Sequence, residues 1–224
     1  MRINSKLMIG YEVILTLMLT IILIVASSKF VLKFKPIYYY DVVNLNISEQ
    51  TDYTNIEIKQ NYDYIVHYVG SLKNIDFELP SINFSQSGKQ HFKEVKVIYN
   101  TLDILSMILL VIFAINITNI IKHKTYNFLK YTSITLLGLP LLLGSFFLIN
   151  FDKSFTIFHK IFFRNDMWLF NPETDPIINI LPQEFFFHSA IILVIILIIF
   201  SAIIYYIYRL INNKYIRNSS KYTL

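Results

Sequence analysis

The sequence contains five histidines, and two of them stand where chemistry at a membrane surface would need them. His91 falls in the first turns of an amphipathic helical stretch, and His159 lies in a second one beside Phe155, Phe158, Phe162 and Phe163. A neutral imidazole titrates near pH 6.5, so one ring can take a proton while another gives one. At an aqueous–lipid boundary this suits moving an acyl group between oxygen and nitrogen. That reaction needs a base for the attacking amine and an acid for the departing alkoxide. Arg164, Asn165, Asp166 and Trp168 follow His159 closely and are candidates for binding substrate or stabilising an oxyanion. Asp103 joins them, because a carboxylate inside an apolar stretch is costly unless it has a partner or a task.

Each of these residues also has a plainer reading. His91 and His159 could be two unrelated interface histidines, and the phenylalanine stripe could mark a helix that only anchors. Trp168 fits an aromatic belt, and Asp103 fits a hydrogen bond to a neighbouring helix. Residue types alone leave both readings open. His123 sits in a basic turn and His67 on a helix, where surface or packing roles suffice, and His188 borders an apolar segment. Glu12 is expected to reach toward the nearby aqueous surface. The chain has no cysteine, which removes disulfides and a thiol nucleophile. It also lacks a glycine-rich phosphate loop, a HExxH pair and a G-x-S-x-G elbow. No metal and no cofactor are expected.

The elements that must position these residues are apolar. Hydrophobic residues make up 54% of the 224, and the mean hydropathy is +0.49, which suits a membrane protein. A spanning helix needs roughly 20 mostly apolar residues. Four segments qualify, at residues 7–28, 88–121, 131–151 and 187–210, the second having its apolar part at 97–121. The first is too long for a signal peptide and lacks a cleavage pattern. Residues 29–87 are expected to form a small extracytoplasmic α+β cap, with strands at 37–46 and 76–79. Thr54 and Glu57 have capping-box spacing, Ile58, Tyr62, Ile65 and Val69 follow at helical spacing, and Gly70 is a stop. Ser87 to Gln90 reads as a second capping box opening the next helix. The cap is too small to bury a core alone, so it should rest on helix ends or headgroups. Residues 152–186 form an interfacial loop and 211–224 a tail. The fold class is thus an α-helical integral membrane protein, a four-helix transmembrane bundle with an α+β cap.

Charge sets the expected orientation. Arg2 and Lys6, then Lys122, Lys124 and Lys130, then Arg209, Lys214, Arg217 and Lys221 lie in three segments without Asp or Glu. All but two of the 15 acidic residues fall in the other two loops, the exceptions being Glu12 and Asp103. Basic density in short segments favours both termini in the cytoplasm and the two long loops outside. The formal charge of +5 is then largely an inside anchor and calls for no nucleic acid. Four spans with few buried charges make a poor solitary transporter.

The motifs also resemble a family. Ser-Gly-Lys-Gln-His91-Phe-Lys-Glu94-Val95-Lys96 resembles the His-x-x-(Asp/Glu)-Val-Lys signature of four-span bacterial membrane proteins, the lipoprotein intramolecular transacylases. Phe158-His159-x-Ile-Phe162-Phe163-x-Asn165-Asp166-x-Trp168 is similar to a second signature. It is followed by Pro172-x-Thr174-Asp175 and Leu181-Pro182-x-Glu184-x-Phe186. Asn61-Tyr62-Asp63-Tyr64-Ile65 fits as well. Glu94 stands where Asp is commoner in the family. The resemblance implies a bacterial cell-membrane enzyme with its active site on the outer face. Its substrates would be diacylated lipoproteins among membrane lipids. It would move the sn-2 acyl chain of a diacylglyceryl-Cys to the α-amino group of the same Cys, leaving an N-acyl, S-monoacylglyceryl (lyso-form) lipoprotein. The family's two functional histidines map onto His91 and His159. One would deprotonate the α-ammonium and the other would protonate the glyceryl oxygen, with His91 favoured as base and the reverse order open.

The alternative is a non-enzymatic accessory that binds lipid or a partner. Ring separation divides the two, because proton relay needs hydrogen-bond reach or one bridging group, roughly 3–7 Å. The orientation is tested by cysteine labelling from outside, which should modify Ser48→Cys and spare Ser219→Cys. The opposite pattern overturns it.

Overall fold

The computed structural model describes residues 5–220, with side chains described to residue 214. Arg2 and Lys221 lie outside the described residues, as do the side chains of Arg217 and Ser219. The helices are α1 (Ser5–Lys33), α2 (Pro36–Asn44), α3 (Asn55–Gly70), α4 (Gln86–His123), α5 (Asn127–Ile149), α6 (Phe151–Phe162), α7 (Ile177–Ile180) and α8 (Gln183–Ser220), with a 3₁₀ turn at Ile47–Glu49. Helices α1, α4, α5 and α8 are long and apolar enough to cross a membrane. The chain divides into two compact units.

One unit comprises the described parts of Met1–Ser27, Ile104–Leu143 and Val194–Leu224. Its centre is Leu15, Ile120 and Phe128, flanked by Tyr11, Leu19 and Phe113. Apolar side chains gain little from meeting one another in lipid, so polar ties between helices matter more there. Tyr11 donates to Asn116 Oδ1 at 3.1 Å, and Ser201 donates to the Ser133 carbonyl at 2.7 Å. Glu12 departs from expectation. It lies on the buried face of α1 with Leu15 and Thr16 and is only 8% exposed. Helical spacing points it inward, so it does not reach the surface.

The other unit comprises Ser28–Asp103 and Gly144–Leu193. Its core brings Tyr38 and Val42 of α2 together with Ile58, Tyr62 and Val69 of α3. Phe77, Phe92 of α4, Ile177 and Ile180 of α7, and Phe185 of α8 complete it. Tyr38 stacks on Tyr62 at 3.7 Å between centroids, and Phe185 meets both rings edge-on. The cap therefore borrows core residues from the first turns of α4 and α8, in line with its small size.

The α+β character expected of the cap is absent: among the described residues there is no strand. Residues 37–46 are rich in β-branched and aromatic side chains, yet Pro36 stands in the first turn of a helix there, where its fixed φ is already helical. Ile37, Tyr38, Asp41 and Val42 are the buried residues of α2, a helical stripe. Tertiary burial overrides strand propensity. Residues 76–79 are irregular. The α3 capping box is present, with Glu57 N–H donating to Thr54 Oγ1 at 3.3 Å and Thr54 N–H to Glu57 Oε2 at 2.9 Å, and α3 ends at Gly70.

Polar ties hold this unit as well. Lys29 of α1 pairs with Asp103 of α4, so Asp103 has a structural partner. Lys96 Nζ donates to the Lys73 carbonyl at 2.8 Å and lies 4.4 Å over the Tyr68 ring. Buried Asp41 faces His188 Nδ1 at 2.9 Å. Tyr38, fully buried, donates to the Ile180 carbonyl at 2.7 Å. Tyr38→Phe leaves that carbonyl unpaired and is expected to cost about 1–3 kcal/mol. A lowered unfolding temperature of the purified protein is the readout.

Candidate active site

The site is built from α4, α6 and the segment that follows α6. Helix α4 starts at Gln86, and the group that caps it is Ser85, earlier than the Ser87 to Gln90 box expected from sequence. Ser85 Oγ accepts from the Gly88 N–H at 3.0 Å. Asp175 then grips Ser85: its Oδ1 accepts from the Ser85 N–H at 2.8 Å, and its Oδ2 from the Ser85 hydroxyl at 2.7 Å. A negative charge at a helix N-terminus also meets the positive end of the helix dipole. Gly88 permits this, since a Cβ on it would stand 2.2 Å from Asp175 Oδ1. One turn further, the same helix carries His91.

Helix α6 is capped by Asn150, whose Oδ1 accepts from the Lys153 N–H at 2.9 Å. It is strongly amphipathic. Ile157, Phe158, Ile161 and Phe162 are exposed on it, whereas His159 is its buried residue. His159 Nδ1 lies 2.8 Å from the Phe155 carbonyl oxygen. A carbonyl only accepts, so Nδ1 carries the hydrogen and Nε2 has a free lone pair.

The two rings come together, with centroids 6.1 Å apart, inside the range that a shared relay requires. Phe163 touches both, at 4.7 Å from His91 and 5.7 Å from His159. Phe155 lies 4.0 Å and Trp168 4.7 Å from the His159 ring, and Phe170 lies 5.4 Å from His91. His91 is 7% exposed, and its Nδ1 is buried with no partner. Burial, and then the neighbouring His159, pushes the His91 pKa down to about 4, with Glu94 pulling the other way. Burial also lowers that of His159, while the Phe155 carbonyl raises it. Both rings are therefore neutral at physiological pH, as desolvation predicts.

Of the other candidates, Asn165 and Trp168 belong to this cluster. Asn165 Nδ2 donates to both Glu94 oxygens, at 3.0 and 3.1 Å. Trp168 is buried, and its Nε1–H donates to the Asn165 carbonyl at 3.0 Å. Arg164 and Asp166 are exposed. Asp103 pairs with Lys29 instead. His67 and His123 are exposed, and His188 faces Asp41. Among the described residues, no three His, Cys, Asp or Glu side chains are grouped to hold a metal ion. Sequence reading missed Phe170 as a wall of the site and Ser85 as the cap. The spacing of Ser85 before Gly88 carried the second signal.

Gly88→Ala is expected to displace the Asp175 cap, costing about 1–2 kcal/mol and cutting activity, read by thermal unfolding and product yield. Gly138→Ala is the control, because nothing lies within 4 Å of a Cβ there.

Comparison with known proteins shows which family and fold the chain is similar to. A family model described as lipoprotein intramolecular transacylase Lit matches residues 13–186. The in meso structure of the membrane integral lipoprotein intramolecular transacylase Lit from Bacillus cereus aligns with a TM-score of 0.89 at 32% identity, covering 94% of this chain and 98% of that one. A histidine-to-arginine mutant of that protein aligns at 0.85 and 31%, covering 96% of each chain. A histidine-to-alanine mutant aligns at 0.84 and 31%, covering 94% of this chain and 96% of that one. No curated protein matches the chain.

Proposed function

Because the chain belongs to the lipoprotein intramolecular transacylase family Lit, we propose how its own residues carry that reaction. The enzyme is a bacterial membrane acyltransferase. It moves the sn-2 O-acyl chain of a diacylglyceryl-Cys lipoprotein to the α-amino group of the same Cys, giving the lyso-form. That activity sets aside the accessory reading. Both termini are cytoplasmic and the site faces outward, a reading supported by the acid-free basic segments. Its partners are diacylated lipoproteins and the surrounding lipid.

His159 is the base, and the observation that carries this is its tautomer. Its Nδ1–H is committed to the Phe155 carbonyl, which leaves Nε2 to accept. The neutral α-amine attacks the sn-2 carbonyl, and a C–N bond forms. His159 Nε2 takes the proton from that nitrogen. The glyceryl C–O bond then breaks, and the proton reaches the departing oxygen by way of His91. A low pKa suits His91 to giving a proton away. One proton has moved from nitrogen to oxygen, and the pair ends as it began.

No acyl-enzyme is required, because ester and amine sit on one molecule. Holding them in contact is worth roughly 7–11 kcal/mol of barrier. The developing oxyanion needs a donor. The Asn165 amide and the Trp168 N–H are already engaged. The exposed Arg164 guanidinium is therefore the preferred candidate, and Asp166 lies beside it to meet polar parts of the substrate.

Purified enzyme given a lipoprotein with isotope-labelled acyl chains, in excess unlabelled phospholipid, tests the scheme. Mass spectrometry should find the label on the α-nitrogen, the sn-2 ester gone and the acyl count unchanged. An unlabelled N-acyl group, or a third chain, refutes it. His91→Ala and His159→Ala should each lower product by ~10²–10⁴-fold while the protein still inserts, and an active double variant sinks the histidine roles.

A further inference from the structure

Trp168 is the single tryptophan of the chain, and both its polar edge and its face are occupied. The N–H goes to the Asn165 carbonyl, and the face lies on His159 with ring planes 29° apart. Asn165 is itself fixed at three points. Its amide donates to both oxygens of Glu94, and its Oδ1 accepts from the Met167 N–H at 3.0 Å. Gln90, one turn before Glu94 on α4, adds a bond to the same carboxylate at 3.1 Å. Hydrogen bonds to an ionised acceptor are the strong ones. A continuous path thus runs from α4, through Glu94 and Asn165, to the indole resting on α6.

An indole face attracts a cation within about 6 Å of its centroid. His159 is neutral at rest and becomes a cation only when it accepts the amine proton. The contact therefore strengthens as the reaction proceeds, which is the kind of interaction that raises kcat rather than binding. We propose that Glu94, Asn165 and Trp168 form a positioning chain that holds the indole face on His159 and so stabilises the imidazolium formed during acyl transfer. This rests on His159 being the base. Of titratable groups, His91 on α4 faces the ring, and Glu94 stands one asparagine away.

The full chain in detergent offers two readouts. Protonated imidazole quenches indole emission more than the neutral ring, so Trp168 fluorescence reports His159 directly. A scan from about pH 8 to about pH 4 should show dimming with a midpoint below the usual imidazole value of about 6.5, and His159→Ala should remove the step. Asn165→Asp sets a carboxylate against Glu94. It should erase the step and lower kcat about tenfold or more at unchanged KM. Combining Asn165→Asp with Glu94→Gln reverses donor and acceptor across the same gap and should restore both.

Wild-type kcat and titration in Asn165→Asp overturn the proposal. So does a double variant that regains the fluorescence step without kcat, because the Asn165 amide would then act on substrate itself. Should Asn165→Asp not insert, Trp168→Leu decides by activity: a fall in kcat at unchanged KM supports the chain, and wild-type kcat overturns it. Absence of N-acyl product from the wild type would fail the reaction scheme instead, while the titration still reads this contact.

Discussion

Burying one imidazole is cheap while it stays neutral, but burying two side by side forbids both from being charged at once. His91 and His159 live under that constraint. Walls of Phe155, Phe163, Trp168 and Phe170 keep water from the rings. The same dryness lets a single proton be passed rather than shared with solvent. A charge that appears between such walls is felt strongly by every oriented dipole nearby. The structure accordingly spends its polar bonds on fixing where those dipoles point.

Neither ring bonds to the other, so their spacing is inherited from the helices that carry them. Three clamps set it. Asp175 fixes the start of α4 through Ser85, Asn150 fixes the start of α6, and Glu94 ties α4 to the segment after α6 through Asn165. Each is a side chain meeting a backbone amide or another side chain, worth on the order of 1 kcal/mol singly. Behind them the cap core, with Tyr38 stacked on Tyr62 and Phe92 on Phe77, supplies the apolar burial that makes the clamps rigid.

The sequence disclosed the elements whose signal is local. Four long apolar stretches, the Thr54 capping box and the stripe from Ile58 to Val69 are patterns within one segment, and the structure carries them. It misled where burial is decided by distant residues. Nothing near 37–46 tells that Asp41 will face His188, so the strand propensity of Ile37, Tyr38 and Val42 won by default. Ser85 was overlooked because its second partner, Asp175, lies 90 residues away. The nearness of the two histidines is likewise set by distant residues. Each ring falls in an amphipathic stretch of its own, but only the folded helices bring them to 6.1 Å.

The exposed Ile157, Phe158, Ile161 and Phe162 of α6 carry a consequence for kinetics. An apolar face beside His159 suits the boundary between headgroups and acyl chains, where a lipid-anchored substrate meets the enzyme by diffusing sideways in a sheet. The encounter rate then scales with the number of lipoproteins per unit of membrane area. Diluting the suspension leaves that quantity unchanged, whereas adding lipid lowers it. A Michaelis constant for this enzyme is therefore a mole fraction, and the cell can saturate the enzyme by crowding the leaflet without making more lipoprotein overall.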